Sequence, residues 1–261
     1  MAVISVQGAA LLKLVLNGIP VVDSSNLSNP LGIKFGSLLA PWPNRLANGT
    51  YSYKGQQYKS DKLDAYGNAI HGLLYDRDLQ VEKQTDSSVT FKHLFGQDHF
   101  YPFAVELSVT YELLEHELVV TATAENRGDS APFGIGFHPY FLAGENFRVS
   151  SSFTKQILVD ENLIPSSSME ISGVDYSGGN LDSCFVGSNL TRMTTDNFSI
   201  EVKLIEGYTH TMLYRPKLEV GESLVAIEPM SCPANAFNSD IESTVLKKLE
   251  KKKYVFSIKM N

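Results

Sequence analysis

The sequence predicts an all-β protein, an antiparallel sheet-on-sheet structure of the large β-sandwich or barrel kind. Three observations carry this. Apolar and polar residues alternate with period two wherever the pattern is clear, short apolar runs are separated by Gly, Asn, Asp and Pro, and no long 3.6-residue stripe with recognisable caps occurs. Many short strands without alternating helices argue against a parallel α/β fold.

In chain order, residues 89–95 form the first clear run. Over residues 105–111, Val105, Leu107, Val109 and Tyr111 share one face, with Glu106, Ser108 and Thr110 on the other. A return strand follows, in which Leu118, Val120, Ala122 and Ala124 alternate with Val119, Thr121, Thr123 and Glu125. Leu114-Glu115-His116-Glu117 supplies the hairpin connection. Further runs lie at 198–204, 212–214, 224–227 and 254–260. Residues 243–252 are the best helix candidate, capped at Ser243 with Leu246 and Leu249 turned inward; a turn between two strands is the other reading. No internal repeat is visible, and topology beyond a large sandwich or barrel does not follow from periodicity.

With 261 residues, 43% of them hydrophobic and 20% charged, the chain can bury a large core. No linker or low-complexity tract divides it, so one domain over residues 1–261 is expected. A net charge of −7 argues against a nucleic-acid surface, which needs a basic stripe. The one basic run, Lys247, Lys248, Lys251, Lys252 and Lys253, reads as a solvated face balanced by Glu242 and Glu250. The start lacks the basic and apolar regions of a secretory signal, and no stretch of about 18 or more apolar residues is present to cross a bilayer. A cytoplasmic protein is expected, without nucleic-acid or membrane partners. Cys184 and Cys232 are too few and too far apart for a disulfide framework or a zinc pair, and read as reduced, buried thiols.

Four segments carry polar residues in settings unusual for exposed loops. In Phe133-Gly134-Ile135-Gly136-Phe137-His138-Pro139-Tyr140-Phe141, two glycines allow close backbone approach, Pro139 restricts His138 to an extended conformation, and aromatic rings offer either a sugar-pocket wall or ordinary core. Pro41-Trp42-Pro43-Asn44-Arg45-Leu46 brings a guanidinium suited to forked donation to sugar hydroxyls or to a structural ion pair. Gly67-Asn68-Ala69-Ile70-His71-Gly72 sets a histidine beside a glycine, where a turn histidine is the plainer reading. Glu228, before Pro229, is placed at the mouth of its strand, where burial is costly without a partner. Outside these four segments, Asp182 is another strand-edge acid or an Asx turn.

Asn44-Arg45-Leu46, Ile70-His71-Gly72, Gly136-Phe137-His138-Pro139-Tyr140-Phe141, Leu181-Asp182 and Ala226-Ile227-Glu228-Pro229 together resemble the ordered motifs of the aldose 1-epimerase, or galactose mutarotase, family. The resemblance runs from about Asn44 to Asn238, and the His-Pro-Tyr-Phe motif with a later Glu-Pro is its most specific part. It implies a large twisted antiparallel β-sandwich, the galactose mutarotase-like supersandwich, whose concave face binds a sugar. It also implies interconversion of the α and β anomers of an aldose, with Glu228 as general base and His138 as general acid. Arg45, His71 and Asp182 match positions that hold sugar hydroxyls or tune the acid, and Asn44 sits beside the matching arginine. The chemistry fits: removing the C1 hydroxyl proton and protonating the ring oxygen opens the ring with no cofactor and no metal. His138 is expected to stay charged near neutral pH, favoured by Glu228 or Asp182 and opposed by desolvation.

The chain is short for the family's galactose-processing members, so loops that select the sugar are open to change. A hexose 6-phosphate 1-epimerase is one alternative, with Arg77 available to the phosphate but Asp76 beside it unfavourable. His210 and Arg215 are candidate rim residues of the same cleft, or surface residues. A non-catalytic carbohydrate-binding protein on the same fold is a second alternative. A third makes His71, His138 and Glu228 metal ligands, and the lack of a compact His-x-His pair counts against it. Oligomeric state is not readable.

Overall fold

The computed structural model describes residues 1–216 and 223–261. Two antiparallel sheets dominate it. A nine-stranded sheet contains Val105–Leu113, Glu117–Asn126, Lys251–Met260 and Ser199–Glu206 among its strands. An eight-stranded sheet contains Lys155–Val159, Asp182–Val186, His210–Tyr214 and Leu224–Met230, with Gly136–Phe137 and Tyr140–Leu142 both pairing to the last of these. No helix among the described residues is long and apolar enough to cross a membrane.

The alternation read from the sequence is the alternation observed. Val105, Leu107, Val109 and Tyr111 are buried, and they pair with Asn126, Ala124, Ala122 and Val120 on the return strand. The hairpin turns through residues 114–116, and the runs near 89–95, 198–204, 212–214, 224–227 and 254–260 all fall in strands. One core fills the space between the sheets. Phe137 crosses it, its ring centroid 5.0 Å from Phe256 and 6.3 Å from Tyr111 of the opposite sheet.

The helix candidate at 243–252 is not a helix. Ile241–Thr244 is a single 3-10 turn, Val245–Lys247 is a strand paired with Ser130–Pro132, and Lys251–Met260 is a long central strand. Leu246 is buried as expected, but Leu249 is exposed with a left-handed backbone at the turn between the strands. The basic run is balanced by acids from elsewhere in the fold: Lys248 pairs with Asp129, Lys251 with Glu125 and Lys253 with Glu206. Glu250 instead accepts the Lys247 backbone N–H at 2.7 Å, and among the described residues neither it nor Glu242 pairs with a lysine side chain.

Within the eight-stranded sheet, alternate residues separate into two environments. Val225, Ile227, Leu213 and Phe185 join the core between the sheets, whereas Met230, Met212 and Cys184 form a separate small apolar cluster on the outward face. Glu228 shares the outward face with Met212, its direct cross-strand partner. That face carries the site.

Candidate active site

The strand Leu224–Met230 organises the site. Gly136 pairs with Met230 and Tyr140 with Ala226, so the register brings His138, in the break between the two short strands, opposite Glu228. Pro139 cannot donate to the ladder, and its carbonyl accepts instead from Ile227 N–H at 3.4 Å. The His138 backbone is fixed on its other side, donating to Ser37 O at 3.0 Å and accepting from Gly36 N–H at 2.9 Å. Nε2 of His138 then lies 3.5 Å from Oε1 of Glu228.

Gly136 provides the close approach its sequence position suggested. A Cβ there would stand 2.9 Å from Pro43 Cβ and 3.0 Å from Pro229 O, which brings the Pro41–Pro43 segment down onto the sheet. Trp42 does not reach the cleft; it is buried against Phe100. Of the aromatic residues around His138, Phe137 and Phe141 are core. Tyr140, the one ring of this sequence segment besides His138 to join the cleft, stacks on the imidazole at 4.6 Å and on Phe35 behind it at 5.2 Å.

Arg45 and His71 come from a second layer above the sheet. Arg45–Leu46 pairs with Ala69–Ile70, and Asn44 O accepts from His71 N–H at 2.8 Å. Asn44 and His71 both adopt left-handed backbone, a conformation a short polar residue tolerates better than an imidazole-bearing one. Asn44 Oδ1 accepts the Arg45 backbone N–H at 2.9 Å. The His71 ring meets His138 edge-on, at 5.3 Å between centroids.

These residues line one cleft of about 430 Å³, together with Asp182, Lys34, Tyr66, Met212 and Tyr214. The volume is that of a small-molecule site. All six sequence-named residues, Asn44, Arg45, His71, His138, Asp182 and Glu228, meet there. His210 and Arg215 do not; His210 bonds Thr209, and Arg215 lies over Phe147. Arg77 is also outside it, paired with Asp98 at 2.7 Å, while Asp76 pairs with Lys62. Another cavity, of about 500 Å³, lies at Ile19, Leu142 and Thr195–Phe198 and carries no comparable set of titratable groups among the described residues.

Glu228 is not at a strand mouth. The strand continues through Pro229 to Met230, and the carboxyl is 2% exposed. Burial, with repulsion from Asp182, raises its pKa well above the ordinary value, against the pull of Arg45. Burial also pushes His138 down to about 3, helped by the Lys34 ammonium. The expected charged imidazole is therefore corrected: desolvation, with the Lys34 ammonium, outweighs the backbone hydrogen bond that favours the charged form. His71 is pushed down in the same way, by burial first and then by His138, Lys34 and Arg45. Asp182 stands at the rim with its pKa raised by the surrounding protein, against Arg45. Glu228 Oε2 and the Nδ1 atoms of His138 and His71 are buried without a hydrogen-bond partner among the described residues.

Several contributors were not apparent from the sequence. Asp64 Oδ2 accepts Arg45 Nε at 2.9 Å, and its Oδ1 caps the turn by accepting the N–H groups of Tyr66 and Asn68 at 2.9 Å each. Tyr66 lies beneath the guanidinium at 5.8 Å. Asp64-Ala65-Tyr66-Gly67 is an Asx-turn pattern that would have revealed the turn but not its partner. Met212 and Tyr214 enter through the register with Glu228 and Ala226. Lys34 follows a 3-10 turn and carries no pattern of its own.

The family model described as aldose 1-epimerase matches residues 1–259, a wider span than the motifs alone. The uncharacterized protein YihR of Escherichia coli K12 is 31% identical, over 98% of this chain and 89% of its own length. Galactose mutarotase of Sus scrofa is 29% identical over 50% of this chain and 41% of its own. Among solved structures, a GalM/aldose epimerase homologue from C. elegans aligns with a TM-score of 0.86 and 18% identity, covering 100% of this chain and 95% of that one. A galactose 1-epimerase from Lactobacillus acidophilus aligns at 0.84 and 18%, covering 100% and 90%. At these identities the structural matches establish the fold.

Proposed function

Because the chain belongs to the aldose 1-epimerase family, we propose that this epimerase interconverts the α and β anomers of a free aldose, with Glu228 as general base and His138 as general acid. The observation that carries this reading is the buried His138–Glu228 pair, 3.5 Å apart, at the floor of a cleft large enough for a sugar ring.

Burial favours the neutral form of both groups. A carboxylic acid with a neutral imidazole and a carboxylate with an imidazolium hold the same single proton. Moving that proton between them turns one pair into the other. Sugar hydroxyls donating to Glu228 Oε2, which has no donor among the described residues, stabilise the carboxylate. The carboxylate then takes the C1 hydroxyl proton while the imidazolium protonates the ring oxygen, and the C1 to ring-oxygen bond breaks. After rotation about the C1–C2 bond, reclosure on the other carbonyl face returns both protons. Arg45, Asn44, His71 and Asp182 hold the remaining hydroxyls.

A neutral sugar is favoured over a hexose 6-phosphate because Arg77, the arginine considered for a phosphate, is committed to Asp98 outside the cleft. NMR of freshly dissolved α-anomers, free and 6-phosphorylated, measures exchange above the spontaneous rate. Acceleration of free hexoses is expected. Binding without any acceleration would leave a carbohydrate-binding protein instead.

A further inference from the structure

Beside the cleft, a cavity of about 30 Å³ shares Asn44, Arg45, Leu163, Asp182 and Met212 with it. The cavity continues past them to Ile157, Cys184, Met230 and Ala234. Cys184, Met212 and Met230, with Ile157 against them, form an apolar cluster separate from the main core. We propose that this is a subsite for the acetyl methyl of a 2-acetamido-2-deoxyaldose. The proposal rests on the aldose 1-epimerase reading of the cleft.

The cross-strand register gives the direction. Met212 is the direct partner of Glu228, and Cys184 is the next residue in the same row, with Ile157 beyond it. Directly opposed residues hold their Cβ atoms about 5 Å apart on one face of a sheet. With Glu228 on the C1 hydroxyl and His138 on the ring oxygen, the other ring neighbour of C1, which is C2, lies on the side away from His138. That side is Met212. A C6 substituent hangs from C5, beyond the ring oxygen, and points away from this cavity.

The chemistry of the walls selects the substituent. A hydroxyl entering between two methionines, a thiol and an isoleucine loses water without gaining a partner. A methyl group gains by the same transfer. The volume exceeds the roughly 10–15 Å³ needed by one water and suits one methyl-sized group. Asp182, Asn44 and Arg45 stand at the mouth, where the amide N–H needs an acceptor and its carbonyl a donor. Burying one methyl corresponds to about a three- to fivefold lower KM.

NMR exchange kinetics with glucose, 2-deoxyglucose and 2-acetamido-2-deoxyglucose test the proposal, with the galacto series run in parallel. The acetamido sugar is expected to have a KM about three- to fivefold below that of the parent hexose. Ala234→Leu, which fills the cavity, removes that advantage and leaves kcat/KM for the parent hexose within about twofold. Cys184→Ala deepens the cavity and improves the 2-propanamido analogue relative to the 2-acetamido sugar. An acetamido KM equal to or above that of an accelerated parent hexose overturns the subsite. So does an Ala234→Leu variant that loses both sugars equally, or a folded Cys184→Ala variant with no gain for the longer acyl group. Acceleration of no sugar in the panel overturns the subsite and the epimerase reading together.

Discussion

Nε2 of His138 stands 3.5 Å from Oε1 of Glu228 in a setting where their side chains are only 6% and 2% exposed. This relationship is built by strand pairing on one side and by the Gly36–Ser37 backbone on the other. Gly136 and Tyr140 are both registered on the Glu228 strand, and Pro139 interrupts the ladder between them. The Phe35–Tyr140–His138 stack then limits the tilt of the imidazole. A rigid sheet therefore supplies the acid and base from adjacent positions, which limits the reorganisation needed during proton transfer.

Glu228→Gln keeps the shape of the side chain and removes its ability to take a proton. Anomer exchange is expected to fall by about 10²–10⁴-fold. The variant should remain folded with an unchanged or higher Tm, because the amide relieves a buried ionisable group. Polarimetry beside thermal unfolding reads both, and normal exchange by a folded variant removes Glu228 from the mechanism.

His138→Asn tests whether the pair acts as one unit. If the two residues complete a single proton relay, the double variant with Glu228→Gln should be little worse than the poorer single variant. Losses that multiply would show two independent contributions.

Asp64 touches Arg45 but does not line the cleft. Asp64→Asn keeps the turn acceptor for Tyr66 and Asn68 while weakening the hold on the guanidinium. The expected result is a KM raised by roughly tenfold with kcat within a factor of about two, the pattern of lost substrate positioning. A fall in kcat at unchanged KM would place Asp64 in the proton relay instead.

These residues also show how far the sequence could be read. Val105 to Tyr111 and their return strand were legible because each side chain's face is decided locally, by period-two alternation. The residues gathered in the cleft were legible as motifs, but their proximity was not, because it depends on register between strands. Glu228 was misplaced at a strand mouth because proline usually ends pairing, whereas here Pro229 is accommodated within the strand opposite Thr211. The helix candidate failed because Leu246 and Leu249 fit a helical period only if residues 248–250 do not turn. The charge on His138 was misjudged because burial depth is a tertiary quantity, absent from the local sequence.

Gly72 tests the support beneath His71. Its φ is +72°, and a Cβ would lie 2.1 Å from Ala40 O, a backbone atom held by the Leu73 N–H. Gly72→Ala is expected to cost about 3 kcal/mol or more, combining left-handed strain with overlap. Denaturant unfolding measures it; a loss below about 1 kcal/mol would mean that the Ala40 segment moves aside readily.

Acid stability follows from the buried His138 and the half-buried His93 and His210. His93 and His210 are pushed down to about 4 by burial, His93 also by Arg77, and His138 to about 3. In the unfolded chain these imidazoles titrate near 6.5. Between those values the unfolded state binds more protons, so stability falls as pH drops from about 6.5 towards 4, with His138 continuing the loss to about 3. Glu228 acts in the opposite sense. Its raised pKa favours the folded state below the ordinary carboxyl value and loses that contribution as pH rises through the folded value. The loss between about 6.5 and 4.5 is therefore histidine-driven and should appear as a falling urea midpoint over that interval. Replacing both His93 and His210 with Gln should flatten this part of the curve while leaving the cleft intact. A midpoint constant from pH 7 to pH 4.5 both in the unaltered protein and in this double variant would mean that the two imidazoles take up protons in the fold as readily as they do in water.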